Sequence, residues 1–160
     1  YALINVAGIA SMNLALATPE EMVKKIIDVN LLGTIFTNQI FAPQIIRNKK
    51  GRIINFSTIA VKLGIKGESV YIASKAGIEG FSRSLARELS PFNITVNCIA
   101  PGPIKTDLLR GVSNKQIKNI TDQQIFTRTM HPSDIVDYVN ILLSDKAKHI
   151  SGQVLYVGGS

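Results

Sequence analysis

The segments that decide the fold are RIINFS at residues 52–57, YIASKAGIEGFSRSLAREL at residues 71–89 and ITVNCIA at residues 94–100. The first and third are short apolar runs rich in β-branched residues, which is typical of buried parallel strands. The middle segment carries an apolar stripe at helical spacing, formed by Ile78, Phe81, Leu85 and Leu89. Strand, helix and strand in this order predict a βαβ unit with a right-handed crossover.

Further elements flank this unit on both sides. Apolar runs over Tyr1–Val6 and Gln153–Val157 predict two more strands, and Pro132–Leu143 predicts a short amphipathic helix. Alternating strands and helices indicate an α/β fold with a doubly wound, Rossmann-like parallel sheet. No linker divides the chain, so we expect a single domain over residues 1–160.

A long helical pattern covers Thr18–Asn48, with Thr18 predicted as the capping residue. Pro43 predicts a bend near its end. Asn30 lies inside this pattern, where an asparagine competes with the backbone for hydrogen bonds. The polar segment Lys105–Arg128 carries five basic and two acidic residues and predicts a mobile region with one or two short helices.

Composition narrows the class of protein. The chain is 46% hydrophobic and 18% charged, as in a folded globular domain, and no apolar run is long enough to span a bilayer. Cys98 is the only cysteine, and the first residues do not resemble a signal peptide, so we expect a cytoplasmic protein. The net charge is +7, but the basic residues are scattered and no zinc-ligand spacing occurs, which argues against nucleic-acid binding.

Tyr71 and Lys75 are four residues apart, so they lie about one turn apart on one face of the predicted helix. An ammonium group beside a phenol favours the phenolate, so we expect Lys75 to lower the pKa of Tyr71 from its usual value of about 10. A tyrosine tuned in this way can exchange a proton with a carbonyl or alcohol oxygen. Alone the pair is a weak signal, because a surface tyrosine and a solvated lysine often share this spacing.

Unusual residues follow three of the predicted strands. Asn5 and Gly8 follow the first, Ser57 and Thr58 the second, and Pro101–Thr106 the third. Ligands of open α/β sheets bind beyond the carboxyl ends of the strands. The sequence therefore predicts a binding site at this edge of the sheet.

Taken together, these motifs resemble the short-chain dehydrogenase/reductase family, aligned to the C-terminal two-thirds of a typical member. Asn5-Val6-Ala7-Gly8 resembles the family's Asn-Asn-Ala-Gly turn, and Tyr71 and Lys75 resemble its catalytic tyrosine and lysine. Asn30 resembles the helix asparagine of the catalytic tetrad. Pro101-Gly102-Pro103-Ile104-Lys105-Thr106 resembles the Pro-Gly-x-Ile-x-Thr loop that holds the nicotinamide carboxamide, and Ser151-Gly152-Gln153-Val154 resembles the turn into the last strand.

The resemblance implies hydride transfer between a nicotinamide cofactor and a carbonyl or secondary alcohol, without a metal. Tyr71 would exchange the proton, Lys75 would bind the nicotinamide ribose, Thr58 would orient the carbonyl oxygen and Asn30 would hold a relay water. The cofactor contacts implied in the same way are Asn5, Ala7, Gly8, Tyr71, Lys75, Pro101, Gly102, Ile104 and Thr106.

The chain departs from the family pattern at three points. Thr58 stands thirteen residues before Tyr71, where the family has serine, and its hydroxyl can still hydrogen-bond a carbonyl. Val6 replaces the second asparagine of the turn. None of the twelve glycines forms the glycine-rich loop that binds the cofactor diphosphate, so the chain reads as part of a longer protein.

Cofactor, substrate and partners follow from the resemblance. We expect NADP, with NAD as the alternative. The basic segment Lys105–Arg128 suits an acidic partner, and the general pattern is nearest to the 3-oxoacyl-acyl-carrier-protein reductases, so a 3-oxoacyl thioester is the first candidate substrate. Sugars, steroid-like molecules and small alcohols remain open. The long helices and last strand are expected to form a homodimer or homotetramer.

Two other functions remain open on the sequence alone. The chain could be a catalytically inactive, truncated relative that serves as a structural or interaction module. It could also be a basic binding protein without chemistry, which the scattered charges favour least.

Overall fold

The computed structural model describes residues 1–104, 106 and 112–159. The strands are β1 (Ala2–Asn5), β2 (Gly51–Phe56), β3 (Ile94–Pro101) and β4 (Val154–Val157). The α-helices are α1 (Glu20–Ile26), α2 (Gly33–Arg47), α3 (Ala60–Leu63), α4 (Ser69–Leu89), α5 (Asn114–Thr121) and α6 (Pro132–Leu143), and a π-helical turn over Ile27–Leu32 joins α1 to α2.

The strands form one parallel sheet in the order β1-β2-β3-β4. In the register Ile4 pairs with Ile54, and Ile54 pairs with Asn97. β2 and β3 are buried almost throughout, which explains why their sequences are nearly continuous apolar runs rather than alternating ones. The predicted α/β fold with helices on both faces is confirmed.

Each face of the sheet has its own hydrophobic core. Ile53 and Val96 pack with residues of α2 and α4, whereas Ile54 and Ile99 pack with residues of α6. Successive residues of a strand point to opposite faces, so one apolar run serves both cores. Ile53 is 0% and Ile54 is 1% exposed.

The last crossover differs in hand from the two before it. The strands advance in one direction across the sheet. The helices α2 and α4, which connect β1 to β2 and β2 to β3, pack on one face, whereas α6, which connects β3 to β4, packs on the other. A crossover that advances in the same direction on the opposite face has the opposite hand. The expected right-handed rule therefore does not hold for every crossover of this sheet.

The long helical pattern is one continuous helix, but its start differs from the prediction. Thr18 does not cap it: the Thr18 hydroxyl donates backward to the Leu14 carbonyl at 3.0 Å. Pro19 is the residue before α1, and its carbonyl accepts from the backbone N–H of Met22 and Val23. Pro43 lies inside α2, as predicted.

The segment between β2 and α4 contains the short helix α3, which ends at Gly64 in a left-handed conformation (φ 62°). α6 has the predicted bounds. The polar segment Lys105–Arg128 contains the helix α5. Residues 105 and 107–111 of this segment lie outside the described residues. No helix in the described part of the chain is long and apolar enough to cross a bilayer.

Candidate active site

A cavity of about 340 Å³ lies where the carboxyl ends of β1, β2 and β3 meet. The residues that line it are Val6, Gly8, Ala10, Met12, Phe56, Ser57, Thr58, Ile59, Ala60, Glu68, Tyr71, Lys75, Pro101, Gly102, Pro103, Ile104, Thr106, Val112 and Ile120. Most of these side chains are apolar. The polar ones cluster at the strand ends and on the first turns of α4.

Tyr71 and Thr58 meet at the wall of this cavity. Tyr71 lies on the first turn of α4 and is 8% exposed. The Thr58 hydroxyl follows β2, accepts a hydrogen bond from the backbone N–H of Ala60 at 3.2 Å and interacts with Tyr71. The two hydroxyls that the sequence selected therefore lie together in the structure.

Lys75 is buried one turn after Tyr71 and is 4% exposed. Its Nζ donates to the carbonyl oxygen of Phe56 at 2.9 Å, at the end of β2. The same nitrogen lies 5.9 Å from the centre of the Tyr71 ring. The strand end thus fixes the ammonium beside the phenol, as the spacing predicted.

The expectation that the pKa of Tyr71 lies below its usual value is wrong. Burial, together with the charge of Glu68, raises the pKa of Tyr71 to about 12, and the interaction with Thr58 opposes this only in part. Burial also lowers the pKa of Lys75 to about 8. Burial is the largest cause of both pKa shifts, because it disfavours the charged form of each group. Tyr71 is therefore held as a neutral phenol at pH 7.

Gly8 brings the first strand close to the lysine. A Cβ atom at this position would lie 3.3 Å from Lys75 Nζ and 3.4 Å from Asn30 Oδ1. The missing side chain leaves these two polar groups facing the same point beside the cavity. A side chain at position 8 would crowd the Lys75 ammonium group.

Asn30 lies in the π-helical turn and is 0% exposed. Its Oδ1 accepts from the backbone N–H of Ile9 at 2.8 Å, and its Nδ2 donates to the Ile9 carbonyl at 2.9 Å and to Ser74 Oγ at 3.0 Å. Ser74 in turn donates to the Tyr71 carbonyl at 2.7 Å. Asn30 therefore connects the loop after β1 with the turn of α4 that carries Tyr71.

Ser57 belongs to a buried network that the sequence did not reveal. Its hydroxyl donates to Glu79 Oε1 at 2.6 Å, and the Tyr156 hydroxyl donates to Glu79 Oε2 at 2.8 Å. The pKa of Tyr156 is raised by burial and by Glu79. Since the Ser57 proton is directed at a buried carboxylate, Thr58 is the better placed hydroxyl to donate to a substrate oxygen.

The structure brings most of the predicted site residues to one cavity. The predicted residues that line it are Gly8, Thr58, Tyr71, Lys75, Pro101, Gly102, Ile104 and Thr106. Asn5 and Ala7 are not among its described lining residues. Asn5 instead donates to Asn55 Oδ1 at 2.7 Å and accepts from the Thr37 hydroxyl at 2.9 Å, so its side chain holds β1 to the elements beside it.

Two functional features were missed. The carbonyl that holds Lys75 belongs to Phe56, and a backbone contact leaves no trace in residue identity. Glu68, three residues before Tyr71, also lines the cavity. Its spacing on the same helical face could have revealed it.

An open parallel sheet with a cavity at the carboxyl ends of its strands is typical of nucleotide-binding α/β folds. Residues 2–159 match the family model described as enoyl-(acyl carrier protein) reductase. The chain belongs to the short-chain dehydrogenase/reductase family.

Curated relatives include the 3-oxoacyl-[acyl-carrier-protein] reductase of Staphylococcus aureus strain Mu50, which is 39% identical over 157 residues. That match covers 98% of this chain and 64% of the relative. The reductase of the same name from Rickettsia conorii strain Malish 7 is 39% identical over 153 residues, which are 96% of this chain and 64% of the relative. The chain thus spans about 64% of the length of these relatives.

Solved structures show the same fold. A 4-hydroxyisoleucine dehydrogenase complexed with NADH is 33% identical with a TM-score of 0.90, and the match covers 99% of this chain and 67% of that one. The 3-oxoacyl-[acyl-carrier protein] reductase of Brucella melitensis is 29% identical with a TM-score of 0.91, covering 99% of this chain and 62% of that one.

Proposed function

We propose that this chain supplies the substrate and proton-transfer part of an NAD(P)-dependent oxidoreductase, which interconverts a carbonyl group and a secondary alcohol. The observation that carries the proposal is the convergence of Thr58, Tyr71 and Lys75 on one cavity at the carboxyl ends of the strands. Family membership supports the same reaction class.

The residues present fit the nicotinamide end of such a cofactor. Lys75 and the bare Cα of Gly8 face each other, with room that a Cβ would fill, and Pro101, Gly102, Ile104 and Thr106 line the same cavity. In the proposed arrangement Lys75 binds the ribose hydroxyls and the Pro101–Thr106 loop binds the carboxamide. The nicotinamide ring, when bound, supplies the hydride chemistry.

The proton chemistry belongs to Tyr71. A pKa raised to about 12 keeps its hydroxyl protonated at neutral pH, so Tyr71 is ready to donate a proton to a substrate oxygen during reduction. Thr58 orients that oxygen by a hydrogen bond. Lys75, at a pKa of about 8, remains mostly cationic at pH 7 and favours the tyrosinate that donation leaves.

Asn30 contributes to this site although it is not among the described residues that line the cavity. Its Oδ1 and Lys75 Nζ face the same point beside Gly8. A water held between them would connect the lysine to solvent as a proton relay. The hydrogen bonds of Asn30 to Ile9 fix the position of the loop that would hold it.

The decisive experiment is the substitution Tyr71→Phe in the natural protein. We expect turnover to be almost lost while cofactor affinity, measured by fluorescence titration, is retained. Tyr138→Phe is the matched control, since Tyr138 is half-buried on α6 and outside the cavity. Near-normal turnover by the Tyr71→Phe protein would refute the assignment.

A 3-oxoacyl thioester is the first candidate substrate, supported by the names of the Staphylococcus and Rickettsia relatives. NADP is the first candidate cofactor, while the NADH complex of the 4-hydroxyisoleucine dehydrogenase supports NAD as the alternative. Titration with NADPH and NADH, followed by turnover with an acetoacetyl thioester, distinguishes these cases. Failure to bind either cofactor would favour an inactive relative that acts as an interaction module.

Self-association is part of the proposal. The helix α2 exposes large apolar side chains, among them Phe36 at 53% and Ile40 at 62%. An apolar helix face of this kind is suited to a second copy of the chain. Sedimentation analysis of the natural protein and of Ile40→Glu tests this: we expect a dimer or tetramer that the charged variant weakens.

A further inference from the structure

The walls of the cavity around Tyr71 are mostly apolar. On the side of the β1 loop they are formed by Val6, Ala10 and Met12, and on the opposite side by Ile104 and Ile120. A substrate that entered this space would contact few polar groups. Each polar side chain on the wall therefore has a large influence on which substrate fits.

Several of these polar groups already have partners within the protein. The Ser57 hydroxyl donates to Glu79, and Lys75 Nζ donates to the Phe56 carbonyl. Glu68 is different. Among the described residues that line the cavity it alone carries a carboxylate, and no described side chain forms a hydrogen bond or ion pair with it.

Glu68 and Tyr71 line the same cavity. Glu68 is the residue immediately before α4, so it lies three residues before Tyr71 on the same side of the helix. Its side chain does not cap the helix. Its charge contributes to the raised pKa of Tyr71, and partial burial raises the pKa of Glu68 itself.

We propose that Glu68 is a specificity-determining residue that selects substrates with an ammonium group next to the reacting carbonyl or carbinol carbon. An ammonium group would pair with the half-buried carboxylate, whereas a substrate carboxylate in the same place would be repelled. The inference rests on the carbonyl–alcohol chemistry of the proposed function but changes its first candidate substrate. An amino alcohol or amino ketone is then a better substrate than the acyl thioester that the names of the relatives support.

Pairing would also adjust the proton donor. A substrate cation beside Glu68 offsets the negative charge that disfavours tyrosinate, so the pKa of Tyr71 falls when the correct substrate binds. A neutral substrate leaves that charge in place. Selection would therefore act on the rate of proton transfer as well as on binding.

The test compares three small secondary alcohols that differ in charge: 1-amino-2-propanol, 2-butanol and 3-hydroxybutyrate. Oxidation of each alcohol by the natural protein is measured with whichever nicotinamide cofactor the protein binds. We expect kcat/KM to fall in the order ammonium, neutral, carboxylate. A hydrogen bond to a charged group implies that Glu68→Gln reduces the ratio of 1-amino-2-propanol to 2-butanol by roughly 10- to 100-fold.

Two further variants sharpen the comparison. Glu68→Lys should reverse the preference toward 3-hydroxybutyrate. Glu88→Gln is the matched control, because Glu88 is an exposed glutamate at the far end of α4, and it should leave the ratio unchanged. Thermal melting gives a readout independent of turnover: 1-amino-2-propanol should raise the melting temperature of the natural protein more than 2-butanol does, and Glu68→Gln should abolish this difference.

An equal ratio in the natural and Glu68→Gln proteins would overturn the inference. So would turnover of an acetoacetyl thioester combined with no preference for the amine in either turnover or melting, although the proposed oxidoreductase would then stand. Absence of cofactor binding and of all turnover would refute the proposed function and this inference together.

Discussion

Asn30 and Ile9 close a ring of two hydrogen bonds: Asn30 Oδ1 accepts from the Ile9 N–H at 2.8 Å, and Asn30 Nδ2 donates to the Ile9 carbonyl at 2.9 Å. The second proton of the same amide reaches Ser74 Oγ. A single buried side chain thus satisfies backbone groups of the β1 loop and a side chain of α4. Few other residue types could do this, because the ring requires a donor and an acceptor at fixed separation.

Asn30→Ala should lower the free energy of unfolding by about 2–4 kcal/mol. Three hydrogen bonds of about 1 kcal/mol each are lost, and their partners remain partly buried at Ile9 and fully buried at Ser74. Urea denaturation of the natural protein measures the change. Asn13→Ala is the control, because Asn13 is exposed and, among the described residues, its side chain hydrogen-bonds Ser11 alone. Equal losses in both variants would contradict the structural role of Asn30.

Mutations of Thr58 and Ser57 should show that the two hydroxyls have different roles. Thr58→Val removes the hydroxyl but keeps a similar shape, and it should reduce kcat by about 10²–10³-fold. Thr58→Ser keeps the hydroxyl and should retain most of the activity. Ser57→Ala should leave turnover near that of the natural protein and lower stability by about 1 kcal/mol, because Glu79 loses a hydrogen bond. Greater loss of turnover from Ser57→Ala than from Thr58→Val would show that the two hydroxyls have the opposite roles.

Tyr156→Phe should lower stability by about 1–3 kcal/mol, because it leaves Glu79 Oε2 buried without its donor. Tyr138→Phe serves as the control on α6. Ser57 and Tyr156 share Glu79, so the double variant Ser57→Ala/Tyr156→Phe should deviate from the sum of the single changes. Strict additivity in denaturant titrations would argue against the shared carboxylate.

Lys75 should make stability depend on pH in a distinctive direction. Its pKa is about 8 in the folded chain against an ordinary value of 10.5, so between these values the unfolded chain binds more protons and stability rises with pH. The rise should amount to about 3–4 kcal/mol in total, at about 1.4 kcal/mol for each pKa unit, and be absent in Lys75→Met. Below pH 8 the unfavourable burial of the ammonium is fully present.

The difference between the natural and Lys75→Met proteins isolates this effect from groups of opposite sign. Burial raises the pKa of Cys98 to about 11 and of Tyr71 to about 12, so both lower stability as pH rises through 9 to 12. The window from pH 8 to 9 is the cleanest. A difference that stays flat there would contradict the depressed pKa of Lys75.

The sequence predicted what depends on local spacing. The pair Tyr71 and Lys75, the bounds of α6 and the strand ends that carry Gly8 and Thr58 all follow from periodicity and turn residues. The resemblance to a family then combined them into one site. These features were accessible because each is encoded within a few neighbouring residues.

What the sequence did not predict depends on burial and distant contacts. Tyr156 and Glu79 are 77 residues apart, and nothing local connects them. The direction of the Tyr71 pKa was wrong because spacing reveals a neighbouring charge but not the loss of water around it. Thr18 has the residue type of a helix cap, but its hydroxyl donates to the Leu14 carbonyl in the preceding turn instead.

The π-helical turn at Ile27–Leu32 affects how the sequences of related chains align. A π turn holds one residue more than an α turn, and each residue rotates a helix by about 100°. A relative whose helix is regular here should align with a single-residue gap inside the helix rather than in a loop. Deleting one residue from this turn would swing Asn30 away from Ile9, so such a gap would mark a change in the β1 loop.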